Sequence, residues 1–354
     1  MVFAGASMRA SSIRSTRTFV SHGHGTLCTL SSCGLSSTAV VSAITGIFAF
    51  CGVLLPIAPR KASRTRSSSR GARSSTIGDR SSLTHHAVVE DSDVGDFVFV
   101  GYGSEIRDSE VGDGSFIYHG ARIEGVEVPE KSFVGPGKIV SDQKTADALP
   151  KTDEVDLGKY YNRKEQLDTN TEFAQAYIDL YEEEGYDAIV EVGPNPKTSW
   201  NQEQVEPEIG DNVELQAFSR VTGDVNIGEN SSVGRRSALR ADEGDPISVG
   251  AGAAIDDRVT LHATRGSAVR IGKFLVASDD SVLHGPLEMG QRDFVGENAV
   301  VFRARVGDDV QIGEGAVVAG PAGEGPALEI PDGTLVPAGA VVTTEKDVRA
   351  LKEG

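Results

Sequence analysis

The chain has 354 residues, of which 39% are hydrophobic, only 6% are aromatic and 41 are glycine. That balance disfavours a helix bundle and favours a β architecture that turns often around a narrow aliphatic core. The formal charge of -18 is uneven: residues 1–78 hold nine Lys or Arg and no acid, leaving 25 basic against 52 acidic residues in the remainder, a body without the clustered cations that nucleic-acid binding needs.

Residues 1–78 are expected to be an organelle-targeting presequence. A dense apolar run at 39–58 precedes the acid-free, Ser- and Arg-rich stretch Arg60 to Arg70. That order resembles the two-part presequence of a complex plastid, with a mitochondrial presequence or a retained anchor as alternatives. Twenty apolar residues are enough to cross a bilayer, so membrane contact is expected only through 39–58, and only if that run is not removed. Cys28, Cys33 and Cys51 all fall in this segment. Any metal in the body must therefore be held by His and carboxylates.

From Ile77 onward the aliphatics recur every six residues, a period that fits neither helix nor ordinary strand and marks hexapeptide β-helix repeats. Val88, Val94, Val100 and Ile106 are in step, then Val111, Ile117 and Ile123 after a five-residue slip. The same pattern, with the same slip between Val301 and Val306, runs from Val221 to Val318. Each hexad is one short strand with its first aliphatic pointing into a triangular prism, and Gly, Asn or Asp is expected at the corners. The segment 126–140 also matches 328–342 nearly residue by residue.

The expected fold is thus all-β with an α-helical segment: a parallel β-helix in two tandem copies. The first, partial copy spans 79–151 and is followed by a helical segment at 152–190, with the helix itself at 159–185. An extended arm at 191–205 leads into the second copy at 206–342. The tail, 343–354, is expected to lack a helix.

Leu239, Leu261 and Leu283 are spaced by 22 residues, one coil plus a bulge. The residues after them, Arg240, His262 and His284, should stack on one face. Imidazoles on successive coils, about 5 Å apart at the backbone, can share one tetrahedral zinc. A third ligand is offered by Asp279, two residues past Ala277 at a prism corner, or by its counterpart in the first copy, His85, two past Leu83. Because a corner faces outward, such a ligand serves a neighbouring barrel more readily than its own.

At this point the residues resemble a known family. Residues 195–342, with Asn195-Pro-Lys-Thr-Ser-Trp200, Leu239-Arg-Ala-Asp-Glu-Gly244, Val259-Thr-Leu-His-Ala263 and His284-Gly-Pro286, are similar to gamma-class carbonic anhydrases of the archaeal type. Residues 77–186 resemble the second half of the same protein. The resemblance implies a left-handed β-helix, a homotrimer or barrels interlocked between the two copies, and zinc at the barrel interfaces, with Fe2+ or Co2+ as alternative ions. It implies His262 and His284 as one ligand pair, with Asp279 standing where the family has its third His. Arg240 and Asp242 match an interface ion pair, Glu243 the proton-shuttle acid and Trp200 an aromatic near the site. The family's water-orienting Asn and Gln become Ala254 and Asp256, and a second acidic shuttle becomes Arg265. In the first copy Glu90 stands where His284 would, and Tyr177 matches a helix tyrosine.

The activity so implied is zinc-dependent reversible hydration of CO2 to bicarbonate: zinc lowers the pKa of its water toward about 7, hydroxide adds to CO2, and a carboxylate passes on the proton. The substituted positions leave a non-catalytic assembly subunit of an organelle complex as an alternative. A hexapeptide-repeat acyltransferase is a second, because this kind of fold hosts both. Each copy lacks what the other keeps, so His85 of the first copy is expected to complete the site that Asp279 leaves without a third His.

Overall fold

The structure, a computed structural model, describes residues 74–155, 157, 163–185, 191–321 and 326–351, with the isolated strands Arg17–Phe19 and Cys28–Leu30. The apolar run 39–58 and the basic segment after it lie outside the described residues. Among the described residues no helix is long and apolar enough to cross a membrane.

Two parallel β-solenoids make up the body. In the first, three four-stranded parallel sheets wrap one prism, with strands of two or three residues stacked at a constant register. Ser82–Leu83, Phe99–Val100, Phe116–Ile117 and Phe133–Val134 form one side. Val88–Glu90, Glu105–Arg107, Arg122–Glu124 and Ile139–Val140 form the next. Every coil takes 17 residues. The register corrects one detail of the hexad pattern: Val89, not Val88, pairs with Ile106 and is buried. The five-residue step therefore recurs once per coil, between Val89 and Val94 as well as between Ile106 and Val111.

The second solenoid has longer coils. Strands Arg220–Gly223, Ala238–Ala241, Thr260–His262, Val282–Met289 and Val300–Val306 lie side by side in one sheet. A separate seven-stranded sheet runs from Glu214–Leu215 to Leu335–Val336. The core is a column of Val, Ile, Leu and Ala in each prism, as the shortage of aromatics requires. The corners depart from expectation, since Arg80, Phe97, Lys131, Phe218, Arg258 and Phe274 also take positive φ. The corners at Phe97, Lys131, Arg258 and Phe274 are held by the coil beside them; the Phe97 N–H, for example, donates to the Asp79 carbonyl at 2.9 Å. The ladder supplies what a favourable residue type would otherwise have to supply.

The two prisms meet along one side. Phe99, Tyr102, Phe116 and Tyr118 of the first pack with Val282, Val300, Phe302, Val317 and Ala319 of the second in an apolar cluster distinct from either core. Glycine permits the approach at one corner line. A Cβ on Gly120, whose φ is +66°, would come within 2.4 Å of Val317 Cγ2, and one on Gly137 within 2.2 Å of Val341 Cγ2. No L side chain fits there without displacement.

Among the described residues three helices accompany the strands: α1 (Gln143–Asp147), α2 (Arg163–Glu184) and α3 (Glu345–Leu351). Asp142 caps α1 by accepting from the Thr145 N–H. The expected helix at 159–185 is described from Arg163. Its buried residues Phe173, Ala176, Tyr177 and Leu180 follow the spacing of a single apolar stripe. The second solenoid is not without a C-terminal helix: α3 occupies part of the expected tail and buries Val348, and Asp347 accepts from the N–H groups of Thr343 and Thr344.

Candidate metal centre

Strand register builds the site. Arg240 pairs with His262 and His262 with His284 across the sheet, as the 22-residue spacing requires, and all three are buried. This sheet is the side of the second solenoid that faces the first. There the corner after Ser82–Leu83 delivers His85, also buried, and its Nε2 lies 3.1 Å from His262 Nδ1. One potential ligand atom each from His85, His262 and His284 lies within 4.8 Å of the others.

Burial first, and then the neighbouring cations and imidazoles, push His85 and His284 well below the ordinary histidine range. Both rings are therefore neutral, with a lone pair to offer. Three buried imidazoles brought this close together fit the donor set of a divalent ion with one position left open.

Acidic groups stand behind His262. Its Nε2, on the side away from His85, lies 3.4 Å from Asp242 Oδ1 and 3.5 Å from Glu243 Oε1. Asp242 is fully buried, which alone would raise its pKa. The Arg240 guanidinium, with Nε donating to Oδ2 at 2.8 Å, His262 and the Tyr177 hydroxyl outweigh that and hold the carboxyl well below its usual range. Such a carboxylate fixes the orientation of a ligating ring and makes it a better donor. Glu243 is buried with less compensation, and burial raises its pKa; its Oε2 accepts from the Arg265 N–H at 3.1 Å. The Tyr177 phenol, pushed up chiefly by burial, donates to Asp242 from α2. Arg220 lies over its ring at 4.7 Å.

The remaining expected site residues are placed elsewhere. Asp279 is not in the cluster: it stands at its own corner, where its Oδ2 accepts from Arg258 at 3.0 Å and its Oδ1 from the Asp257 N–H. Asp256 is exposed and follows a strand of the other sheet. Partial desolvation of its carboxyl and then the charges of Asp279 and Asp257 raise its pKa. Trp200 stacks on Phe173 at 6.4 Å, and Arg240 lies 5.8 Å from the Phe173 ring, so Trp200 reaches the site only through a neighbour. Glu90 pairs with Arg107 on another side of the first prism.

The sequence reading missed Tyr102 and His119. With His85 they recur at intervals of 17, one coil of the first solenoid, and stack as a ladder: His85 on Tyr102 at 5.6 Å and Tyr102 on His119 at 4.1 Å. The coil length was the available signal. His119 is held neutral by burial, with its pKa lowered to about 3. His86 was also passed over; it meets Thr260 Oγ1 at 3.1 Å and pairs with Asp280 across the two solenoids.

No protein-family model matches the chain. Among curated proteins it is 29% identical over 168 residues to the carboxysome assembly protein CcmM of Nostoc, a match covering 45% of this chain and 29% of that protein. It is 31% identical over 186 residues to a carbonic anhydrase of Methanosarcina thermophila, covering 47% of this chain and 72% of that one. Of the solved structures, a hexapeptide transferase family protein from Anaplasma phagocytophilum is 26% identical over 42% of this chain and 86% of that chain, with a TM-score of 0.34. With nearly three quarters of the Methanosarcina enzyme covered at that identity, the chain belongs to the gamma-class carbonic anhydrase family, whose left-handed parallel β-helix is the solenoid described above.

Proposed function

We propose that this chain is a metal-dependent carbonic anhydrase that interconverts CO2 and bicarbonate at the His85, His262 and His284 centre, with zinc as its ion. The observation that carries the reading is the buried triad itself, three imidazoles brought together from two solenoids. When bound there, the ion supplies Lewis acidity and a water made acidic enough to act as nucleophile near neutral pH. Asp242 holds the His262 ring in place, and Arg240 and Tyr177 hold Asp242. Glu243, anchored through Oε2 on the Arg265 N–H, presents Oε1 toward His262 and takes the proton that hydration releases. Targeting to a plastid through residues 1–78 belongs to the same proposal.

The decisive experiment is metal analysis of the purified body together with stopped-flow CO2 hydration. One ion per chain and activity abolished in His262→Ala support the reading. A protein that binds no divalent ion, or hydrates CO2 equally well without its histidines, overturns it.

The likeness to a carboxysome assembly protein favours a second reading, in which the solenoids serve as an assembly block. It predicts a protein that holds its ion yet is inert toward CO2.

A further inference from the structure

The ladder His85, Tyr102 and His119 places one more polar group at the centre. Tyr102 is buried, and its hydroxyl lies 2.8 Å from His284 Nε2. His284 Nδ1 is 3.0 Å from the Gly285 carbonyl, which can only accept. Nδ1 therefore carries the ring proton, Nε2 is the lone pair, and the phenol donates to it. This is the lone pair that a metal ion would use. Ion and phenol thus compete for one atom, and when the ion takes it the hydroxyl needs another acceptor.

The phenol has little freedom to withdraw. Its ring is stacked on His119 at 4.1 Å with 4° between planes and on His284 at 4.5 Å with 21°. The Tyr102 backbone N–H donates to His119 Nδ1 at 2.9 Å, and Phe302 meets the ring edge-on at 5.9 Å. The hydroxyl stays beside the triad, in a place shielded from bulk water. The orienting role is vacant, because the positions that resemblance assigns to it, Ala254 and Asp256, lie on another sheet with Asp256 exposed. At the corresponding corner of the second solenoid, two residues past Val295, stands Glu297, which offers no equivalent donor at neutral pH.

We propose that Tyr102, delivered by the first solenoid, is the hydrogen-bond donor that positions an oxyanion of the bicarbonate type beside the ion held by His85, His262 and His284. The inference rests on the metal-centre reading of that triad. It is tested with Tyr102→Phe, which keeps the stacked ring and removes only the hydroxyl, in protein loaded with Co2+ and followed by the visible absorption of the ion. Bicarbonate affinity should fall about fivefold to tenfold, the loss expected for one hydrogen bond. Iodide, a poor acceptor, should bind as in the parent, and Co2+ itself should bind as tightly or several-fold more tightly because its competitor is gone. Unchanged bicarbonate affinity, an equal loss for iodide, or Co2+ affinity weakened tenfold or more would each overturn the assignment. Failure of the parent protein to bind Co2+ would instead defeat the metal centre, and this inference with it.

Discussion

His85 Nε2 and His262 Nδ1 lie 3.1 Å apart although 177 residues separate them in the chain. Asp279, which stands at the matching corner of the second solenoid, is tied to Arg258 and the Asp257 backbone instead. His85→Ala should therefore abolish stoichiometric zinc binding, whereas Asp279→Ala should leave it intact, since a site reduced to two imidazoles no longer cages the ion. Elemental analysis of both purified variants decides between them. Zinc lost with Asp279 and kept without His85 would place the centre at another interface.

The carboxylate behind His262 gives a second expectation. Asp242→Asn removes the charge that faces His262 Nε2 at 3.4 Å, and loss of such a supporting group lowers metal affinity by roughly 10- to 100-fold. Competition with a chromophoric chelator measures the change. An affinity within twofold of the parent would show that the pair with Arg240 is structural only.

The contact between the solenoids should be measurable as stability. Phe116 is 1% exposed and stacks on Phe99 at 4.5 Å, so Phe116→Ala should cost about 3–5 kcal/mol in denaturant unfolding. Gly120→Ala should also destabilise, because the new methyl meets Val317 and the backbone holds φ at +66°. In both variants zinc should bind more weakly, as one ligand comes from the first solenoid and two from the second. Weaker folding with unaltered zinc affinity would mean that the triad does not depend on this contact.

A pH-dependent contribution lies outside the triad, at Asp293. Burial is the main cause that raises its carboxyl from 3.8 to about 6, although Oδ1 accepts from the Val310 N–H at 2.9 Å. Oδ2 has no hydrogen-bond partner among the described residues. With a raised pKa the folded state holds the proton more tightly than the unfolded state does, so this stabilisation is complete below about pH 4 and is lost as the pH rises through 6. Asp293→Asn, which mimics the neutral acid, should gain melting temperature relative to the parent between pH 4.5 and 7.5. A difference that stays flat across that range would sink the assignment.

Much of this architecture is legible in the sequence, because a solenoid repeats one local decision: each inward aliphatic fixes a strand, and register then follows from coil length. The spacing of 22 that aligns Leu239, Leu261 and Leu283 carries Arg240, His262 and His284 onto one face for that reason. The same logic failed at Val88, where two adjacent valines left the inward one undetermined until the neighbouring coil chose Val89. It also overlooked Tyr102 and His119, because aromatic residues at corners are invisible to a pattern that scores inward aliphatics. Asp279 was a reasonable candidate by position. In the structure it meets Arg258 instead, 21 residues earlier and one coil away, whose guanidinium engages both Asp279 and Asp280.

Covalent continuity between the two solenoids has a consequence for behaviour at low concentration. A centre assembled from separate subunits falls apart on dilution, and its metal is lost as the partners part. Here the residue that closes the triad and the pair that opens it belong to one polypeptide, so their encounter is governed by tether length, equivalent to a local concentration on the order of millimolar. Occupancy of this centre should then be independent of how much protein is present, down to the dilute limit where the ion itself dissociates.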